Sequence, residues 1–433
     1  EQLRWLMEVW HAASRLRQEG CDVRAVTAWS LLGAYDWNTL LTRFQGYYEP
    51  GAFDLRSPRP RPTALASCIR SLAKTGDYHH PVLHQEGWWR RSTRLLYPAI
   101  RPIQESRSNG VHHGRSDSQP SPPLLITGAT GTLGQAFHRL CGLRGLPCRL
   151  VRRQEMDIAC EQSVERLLDH SRPWAVINTA GYVRVDDAEQ DAATCFRENT
   201  AGPLVLAKAC AARGIPFVTF SSDLVFDGAK QAPYLEGDAV TPLNVYGRSK
   251  AEAERQILEF APRSLVIRTS AFFGPWDDFN FVTLVRKKLK AGQTVSAASD
   301  AVISPTYVPD LVHATLDLLI DGETGLWHLA NQGAMSWADL AVAIAHMAEL
   351  PRDSIVPVAL DSLGYPARRP RYSVLSSSRG LIMPSFQDAL SRYCEECADI
   401  SEERTAPVEH SGCSNRSQSE SRQTALASED VSL

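Results

Sequence analysis

The stretch Leu124-Leu-Ile-Thr-Gly-Ala-Thr-Gly-Thr-Leu-Gly134 restricts the folds open to this chain more than any other. An apolar run breaks into glycines at 128, 131 and 134, and apolar residues return at Leu133, Phe137, Leu140 and Leu143. Those intervals predict a strand, a tight turn and a helix. Gly128 suits a sharp turn, Gly131 lets bare backbone approach a pyrophosphate, and Gly134 lets helix and strand pack closely. The helix N-terminus adds unpaired N–H groups that favour an anion. Because the spacing is Gly-x-x-Gly-x-x-Gly rather than Gly-x-Gly-x-x-Gly, a plain tight turn stays open until the rest of the chain is read.

Beyond the glycine turn the chain alternates strand and helix at short intervals. Cys148 to Val151 reads as a second strand and Trp174 to Asn178 as a third. A long helix from Asp191 to Arg213 carries Asn199, and Phe217 to Ser221 and Ser264 to Arg268 read as the fourth and fifth strands. This order predicts an α/β fold, a Rossmann-type doubly wound parallel sheet with helices on both faces. Ligands of such sheets sit at the carboxyl ends of the strands. Those ends carry Asn178-Thr-Ala-Gly181 and Ser221-Ser-Asp223. Arg152 and Arg153 close the second strand where an acidic residue would bind a ribose 2′-hydroxyl, which favours NADPH over NADH; solvated arginines are the alternative.

Next comes Tyr246-Gly-Arg-Ser-Lys250, opening a helical pattern through Ala253, Ile257 and Leu258. Tyr and Lys four apart share one helical face. A free phenol titrates near ~10 and is a poor acid at neutral pH, and a nearby ammonium lowers that value. Lys250 can also hold the nicotinamide ribose. The Ser222 hydroxyl can polarise a substrate carbonyl while Tyr246 supplies the proton to its oxygen. A lone Tyr-x-x-x-Lys is often an ordinary surface pair. Here it succeeds the glycine turn, the Asn strand end and the Ser strand end in order, which selects the catalytic reading.

The charge balance, 46 basic against 49 acidic residues in 433, leaves no broad basic field for nucleic acid or an anionic membrane. Ten cysteines lie without a framework; Cys394 and Cys397 have no second pair to complete a zinc site, so free thiols in a cytoplasmic, reducing setting and no bound metal are expected. No apolar run approaches the roughly 20 residues that span a bilayer, and no signal-peptide pattern opens the sequence given. Glu1 stands first rather than Met, so a cut or fragment is expected there.

Residues 122 to about 395 resemble the dTDP-4-dehydrorhamnose reductase family, within the extended short-chain dehydrogenase/reductases. The matching pieces are Gly128 to Gly134, Met156-Asp-Ile158, Ile177 to Glu189, Ser221 to Gly228, Tyr246 to Lys250, Arg268-Thr-Ser270, Ser304 to Tyr307 with Asp310-Leu311, and Arg369-Pro-Arg371. The resemblance implies NADPH-dependent reduction of the 4-keto group of a dTDP-4-keto-6-deoxysugar, with catalytic Ser222, Tyr246 and Lys250. The expected dinucleotide contacts are Gly128, Thr130, Gly131, Thr132, Leu133, Gly134, Arg152, Asp157, Ile158, Asn178, Ala180, Gly181, Tyr182, Asn199, Tyr246 and Lys250. Ser222 and Asp223 would meet the sugar. Arg369 and Arg371, on a smaller C-terminal substrate lobe, would pair with its diphosphate, or else form a solvated basic loop. The family usually has Thr at Ser222, Tyr at Leu224 and often an aromatic at Ala271, and the last two changes bear on which sugar fits. Leu224 also leaves no Asp-Glu pair, which disfavours a 4,6-dehydratase. A non-catalytic NADP-binding regulatory subunit of the same fold, or another nucleotide-sugar reductase or epimerase, is the competing reading. A homodimer is left open.

The flanks read differently. Residues 1–19 have amphipathic helical spacing, and Val23 to Leu32 suits a buried parallel strand. With Ala28 to Trp37 they resemble the end of a family 1 glycoside hydrolase barrel, an incomplete (β/α) fragment over 1–56. Retaining hydrolysis needs two carboxyls about 5 Å apart, and the family's Asn-Glu-Pro and Glu-Asn-Gly motifs do not occur, so only a residual carbohydrate-binding role is conceivable. Residues 57–121 read as a linker with a short helix near Ala64 to Lys74 and a docking stretch at Gly87 to Arg91. The pairs His79-His80 and His112-His113 read as solvated. The Ser/Glu/Arg-rich tail, 398–433, is expected to be disordered.

Overall fold

A computed structural model of the chain describes residues 1–44, 46–91, 121–277 and 279–405. Two helices come first, α1 (Gln2–Gln18) and α2 (Ala64–Thr75). Strands β1 (Leu124–Thr127), β2 (Cys148–Val151), β3 (Ala175–Asn178), β4 (Phe217–Ser222), β5 (Leu265–Thr269) and β6 (Gly325–His328) then form one parallel sheet, ordered β2-β1-β3-β4-β5-β6. The chain steps one way from β1 to β2 and returns to the other side for β3. The crevice at a ligand-binding switch point therefore opens beyond the tips of β1 and β3.

Alternation along each strand builds two apolar layers. Leu124, Ile126, Ala175, Ile177 and Ile267 face the layer made by α3 (Thr132–Arg144) and α9 (Val308–Asp321). Leu125, Val176 and Val266 face the opposite layer, made by α4 (Glu161–Ser171) and the helices that come directly after it. The doubly wound arrangement expected from the sequence is present.

One helix departs from expectation. The stretch that reads as a single helix over 191–213 is α5 (Ala192–Phe196), a π turn at Arg197–Ala201, and α6 (Gly202–Ala212). Pro203 has no N–H for the carbonyl of Asn199 four residues back and its ring crowds that oxygen, so the wider turn absorbs the conflict. That turn carries Asn199. Helix α7 (Val245–Phe260) then lies against the same face.

The second core belongs to the smaller lobe. Helices α8 (Phe281–Lys290), α10 (Trp337–Met347) and α11 (Phe386–Thr405) enclose Phe273, Val282, Leu340, Ile344, Phe386 and Tyr393. A parallel pair, Val295–Ala298 with Ile355–Val358, edges this lobe.

The amino-terminal residues are a docked layer. Leu3, Leu6 and Met7 of α1, with Leu65, Cys68 and Leu72 of α2, join the core of the α3 and α9 face. Arg4 donates to the carbonyls of Arg144 (2.9 Å) and Gly145 (2.8 Å), closing the C-terminal end of α3 where helix carbonyls lack partners. Arg61 pairs with Asp321 at 2.7 Å, and Trp89 donates to Glu8 at 2.9 Å. The buried strand expected over Val23 to Leu32 does not form: Trp29 and Leu31 are each 63% exposed. Among the described residues the segment makes only an isolated parallel bridge, Leu32 to Phe53, and no sheet covers its faces. Helix α11 also runs through Thr405, past the point where disorder is expected from composition. His79 is exposed and pairs with Asp77, while the His80 ring accepts from the Val82 N–H; His112 and His113 lie outside the described residues. Among the described residues no helix is long and apolar enough to cross a membrane.

Candidate active site

The glycine turn has the shape its sequence predicts. Gly128 adopts φ +75°, which L side chains rarely do. A Cβ at Gly131, the N-cap of α3, would meet only the Gly128 carbonyl oxygen, at 3.5 Å, so the outer face of the turn is open to close approach. Helix α3 aims its N-terminus at that face, an arrangement that fits a diphosphate. Thr130 is exposed and Thr132 half-buried beside it, whereas the Leu133 side chain points into the core.

Asn178 plays a different part from the one expected. Its side chain is 2% exposed, accepts from Thr127 Oγ1 at 2.7 Å and donates to Thr219 Oγ1 at 3.1 Å. Both ends of the amide are spent tying the tips of β1, β3 and β4, so this side chain shapes the crevice floor rather than reaching a cofactor. Asn199, from the π turn, accepts from the Tyr182 N–H (2.9 Å) and donates to Ser249 Oγ (3.0 Å), linking the Ala180 to Tyr182 loop to α7. A Cβ on Gly181 would lie 3.4 Å from Lys250 Nζ, which places that loop against the ammonium. Ile158 is buried, and Asp157 accepts from the Ala159 N–H and pairs with Arg197. Arg153 is engaged by Glu198, but the exposed Arg152 side chain makes no hydrogen bond or ion pair with the described residues.

Ser222, Tyr246 and Lys250 come together as expected. Asn244 caps α7 by accepting from the Gly247 N–H at 2.7 Å, setting Tyr246 in the first turn. Gly247 permits the approach: a Cβ there would fall 2.1 Å from the Leu224 carbonyl oxygen, in the segment just after Ser222. Lys250 Nζ lies 5.7 Å from the Tyr246 ring centroid and donates to the Phe220 carbonyl at 3.2 Å.

The electrostatics differ from the sequence expectation. Burial, aided by the Asp223 charge, raises the Tyr246 phenol above its usual range, and the nearby Ser222 hydroxyl only partly opposes this. Burial also lowers Lys250 to about 8. Desolvation of both groups outweighs the attraction on which the expected depression of the phenol depended. A phenol held protonated at neutral pH suits proton donation, the direction a reduction needs.

Asp223, expected to meet a sugar, is 6% exposed and three serine hydroxyls occupy it. Arg369, expected on a diphosphate, instead grips Asp186 with both its terminal nitrogens. Arg371 pairs with Asp361 at 2.7 Å and Asp300 at 3.4 Å. Local carboxylates engage both guanidiniums, in the bidentate case of Arg369 with a geometry that favours retention. The partners Ser270, Ser373, Thr127 and Ser249 are site residues that sequence reasoning missed. Ser270 and Ser373 had a signal, since they fall in or just after the Arg268-Thr-Ser270 and Arg369-Pro-Arg371 motifs.

The model of the RmlD substrate binding domain family matches residues 123–399. The chain is 34% identical over 268 residues to a dTDP-4-dehydrorhamnose reductase of Aggregatibacter actinomycetemcomitans, an alignment covering 59% of this chain and 91% of that protein. It is 32% identical over 277 residues to the spore coat polysaccharide biosynthesis protein SpsK of Bacillus subtilis, covering 63% and 97% respectively. Among solved structures it is similar to a Bacillus anthracis dTDP-4-dehydrorhamnose reductase in complex with NADP, at TM-score 0.61 and 29% identity over 64% of this chain and 99% of that one. The glycine turn, the hydroxyl at 222 and the Tyr246 and Lys250 pair all lie inside the matched span, and the chain belongs to the RmlD substrate binding domain family.

Proposed function

We propose that this chain reduces the 4-keto group of a dTDP-linked 4-keto-6-deoxysugar with NADPH. The observation that carries the reading is the meeting of Ser222, Tyr246 and Lys250 beside an open glycine turn. The similar Bacillus anthracis structure, in complex with NADP, supports the choice of cofactor, as does the uncommitted Arg152 side chain beside the ribose position.

When bound, the nicotinamide supplies the hydride. Gly128 to Gly134 would hold its diphosphate, Arg152 its 2′-phosphate, and Lys250 its ribose hydroxyls. Tyr246 gives its proton to the substrate carbonyl oxygen as carbon accepts the hydride. Ser222, whose proton is held by Asp223, lies against the phenol and sets its direction toward that oxygen. Leu224 and Ala271 leave the sugar subsite more apolar and roomier than the family pattern, and they are where sugar preference is set.

Residues 122–397 are the catalytic unit in this reading, with 1–91 as its cover. A cytoplasmic setting is supported by the described cysteines, which are free thiols. A homodimer is part of this reading, and light scattering at micromolar concentration tests it. The activity itself is tested by NADPH oxidation with dTDP-4-keto-6-deoxyglucose and its epimers. NADPH binding with no turnover of any of them would leave the regulatory-subunit reading in its place.

A further inference from the structure

Asp223 is a nearly buried carboxylate whose side-chain hydrogen-bond partners, among the described residues, are hydroxyls. Ser222 donates to its Oδ1 at 3.0 Å; Ser270 and Ser373 donate to its Oδ2 at 2.8 and 2.6 Å. Burial pushes this carboxyl up and the three hydroxyls oppose that shift; in its ionised form it only accepts, which dictates where the hydroxyl protons point. With its proton committed to Asp223, the Ser222 oxygen accepts from the Leu224 N–H at 3.1 Å and faces the Tyr246 phenol.

Two of the three serines belong to the sheet, at the tips of β4 and β5. Ser373 does not. It ends a strap, residues 367–373, that crosses from the smaller lobe. Asp186 holds the Ala367 N–H and the Arg369 guanidinium, and Asn244, the cap of the catalytic helix, donates to the Arg368 carbonyl at 2.8 Å. The Ser373 N–H donates to the Val302 carbonyl at 2.9 Å, so the lobe sets the position of Ser373. The Ser373 to Asp223 hydrogen bond is thus where lobe and sheet meet, one residue from the catalytic hydroxyl.

We infer that Ser373 is a positioning residue of the reduction, acting through Asp223 to hold the Ser222 hydroxyl in register with Tyr246. This rests on the reductase reading. It assigns the Arg-Pro-Arg strap a role in orienting the reacting groups across the lobe boundary, in place of diphosphate binding. A serine that only glued the lobes together would act on stability and on substrate affinity instead.

The full chain is assayed with NADPH and a dTDP-4-keto-6-deoxysugar as wild type, Ser373→Ala, Ser373→Thr and Ser270→Ala. Losing one hydrogen bond to a charged group predicts that kcat falls about tenfold or more in Ser373→Ala, while KM for the sugar nucleotide stays within about twofold. Ser270→Ala, which removes the other donor to Oδ2, is expected to do the same, and stands in for Ser373→Ala if that variant does not fold. Ser373→Thr keeps the hydroxyl and restores kcat. Unchanged kcat in a folded Ser373→Ala, or in Ser270→Ala where it stands in, a rise in KM at constant kcat, or failure of threonine to rescue a folded protein would each overturn the inference. Absence of turnover by the wild type would overturn the reductase reading instead, so the two failures are told apart.

Discussion

Arg369 forks onto Asp186, with Nη2 2.6 Å from Oδ2 and the guanidinium side chain only 8% exposed. This contact joins the loop after β3 to the strap of the smaller lobe, two segments distant in sequence. A buried bidentate pair resists loss of either partner more than its net worth suggests, because the survivor is stranded.

Arg369→Ala and Asp186→Ala should each lower unfolding free energy by about 2 to 3 kcal/mol, and the double variant should cost little more than either alone. Urea unfolding of the four proteins checks this. A large rise in KM for the sugar nucleotide with unaltered stability would restore Arg369 to the diphosphate.

Tyr246→Phe keeps the ring and removes the proton. Turnover should drop by roughly 10² to 10⁴, while NADPH titration by fluorescence gives an unchanged Kd. Comparable rates in the two proteins would remove the phenol from the chemistry.

A Cβ at residue 134 would sit 2.3 Å from the Gly128 carbonyl oxygen, which is backbone and has no rotamer to yield. Gly134→Ala is therefore expected to displace the turn, at about 1 to 3 kcal/mol for an overpacked contact. Affinity for NADPH should fall at least about tenfold, since roughly 1.4 kcal/mol is a factor of ten. Isothermal titration reads both the loss and any unexpected tolerance.

Lys250 titrates near 8 in the folded chain against an ordinary 10.5. Its value is lowered, so the unfolded chain binds the extra proton between those two pH values. The penalty for burying the ammonium is therefore fully present below pH 8 and is relieved as pH rises toward 10.5. Activity runs the other way, because the charged form holds the ribose. The profile of kcat/KM, which reports the free enzyme, should descend above about pH 8. A profile that stays flat well above that value would contradict the role.

Arg61 holds the amino-terminal layer to the end of α9, pairing with Asp321 at 2.7 Å and Asp54 at 3.1 Å. Burial raises Asp321 to about 6 even with the guanidinium beside it. Arg61→Met leaves Asp54 its pair with Arg56 but leaves buried Asp321 only the Ala64 N–H, and should cost about 3 kcal/mol. Differential scanning calorimetry at neutral pH should show a lower Tm, and the deficit should shrink on acidification through about pH 6, as Asp321 takes up a proton more readily folded than unfolded.

Much of the catalytic unit is legible in the residue order because its signals are local. The step from period-two to helical spacing at Leu124 to Leu143 is written within one turn of chain, and so is the four-residue interval from Tyr246 to Lys250. Strand ends can be named from the same alternation, and Ser222 with them. The helix over 191–213 reads as unbroken because Pro203 falls near its middle, where only geometry shows whether a kink, a break or a π turn results.

The sequence by itself determined the parallel sheet and the glycine turn that opens α3, and it named the phenol, the ammonium and the hydroxyl that the fold brings together. Tertiary structure alone decided what each polar group is spent on: Arg369 on Asp186, Asn178 on Thr127 and Thr219, Ser373 on Asp223, and α1 and α2 on the back of α3 and α9. Helix and strand periods act between near neighbours and leave a pattern in the residue order. A hydrogen bond across 150 residues, such as that from Ser373 to Asp223, depends on where two separately built lobes come to rest, and desolvation there set the Tyr246 phenol against the direction its neighbouring lysine implied.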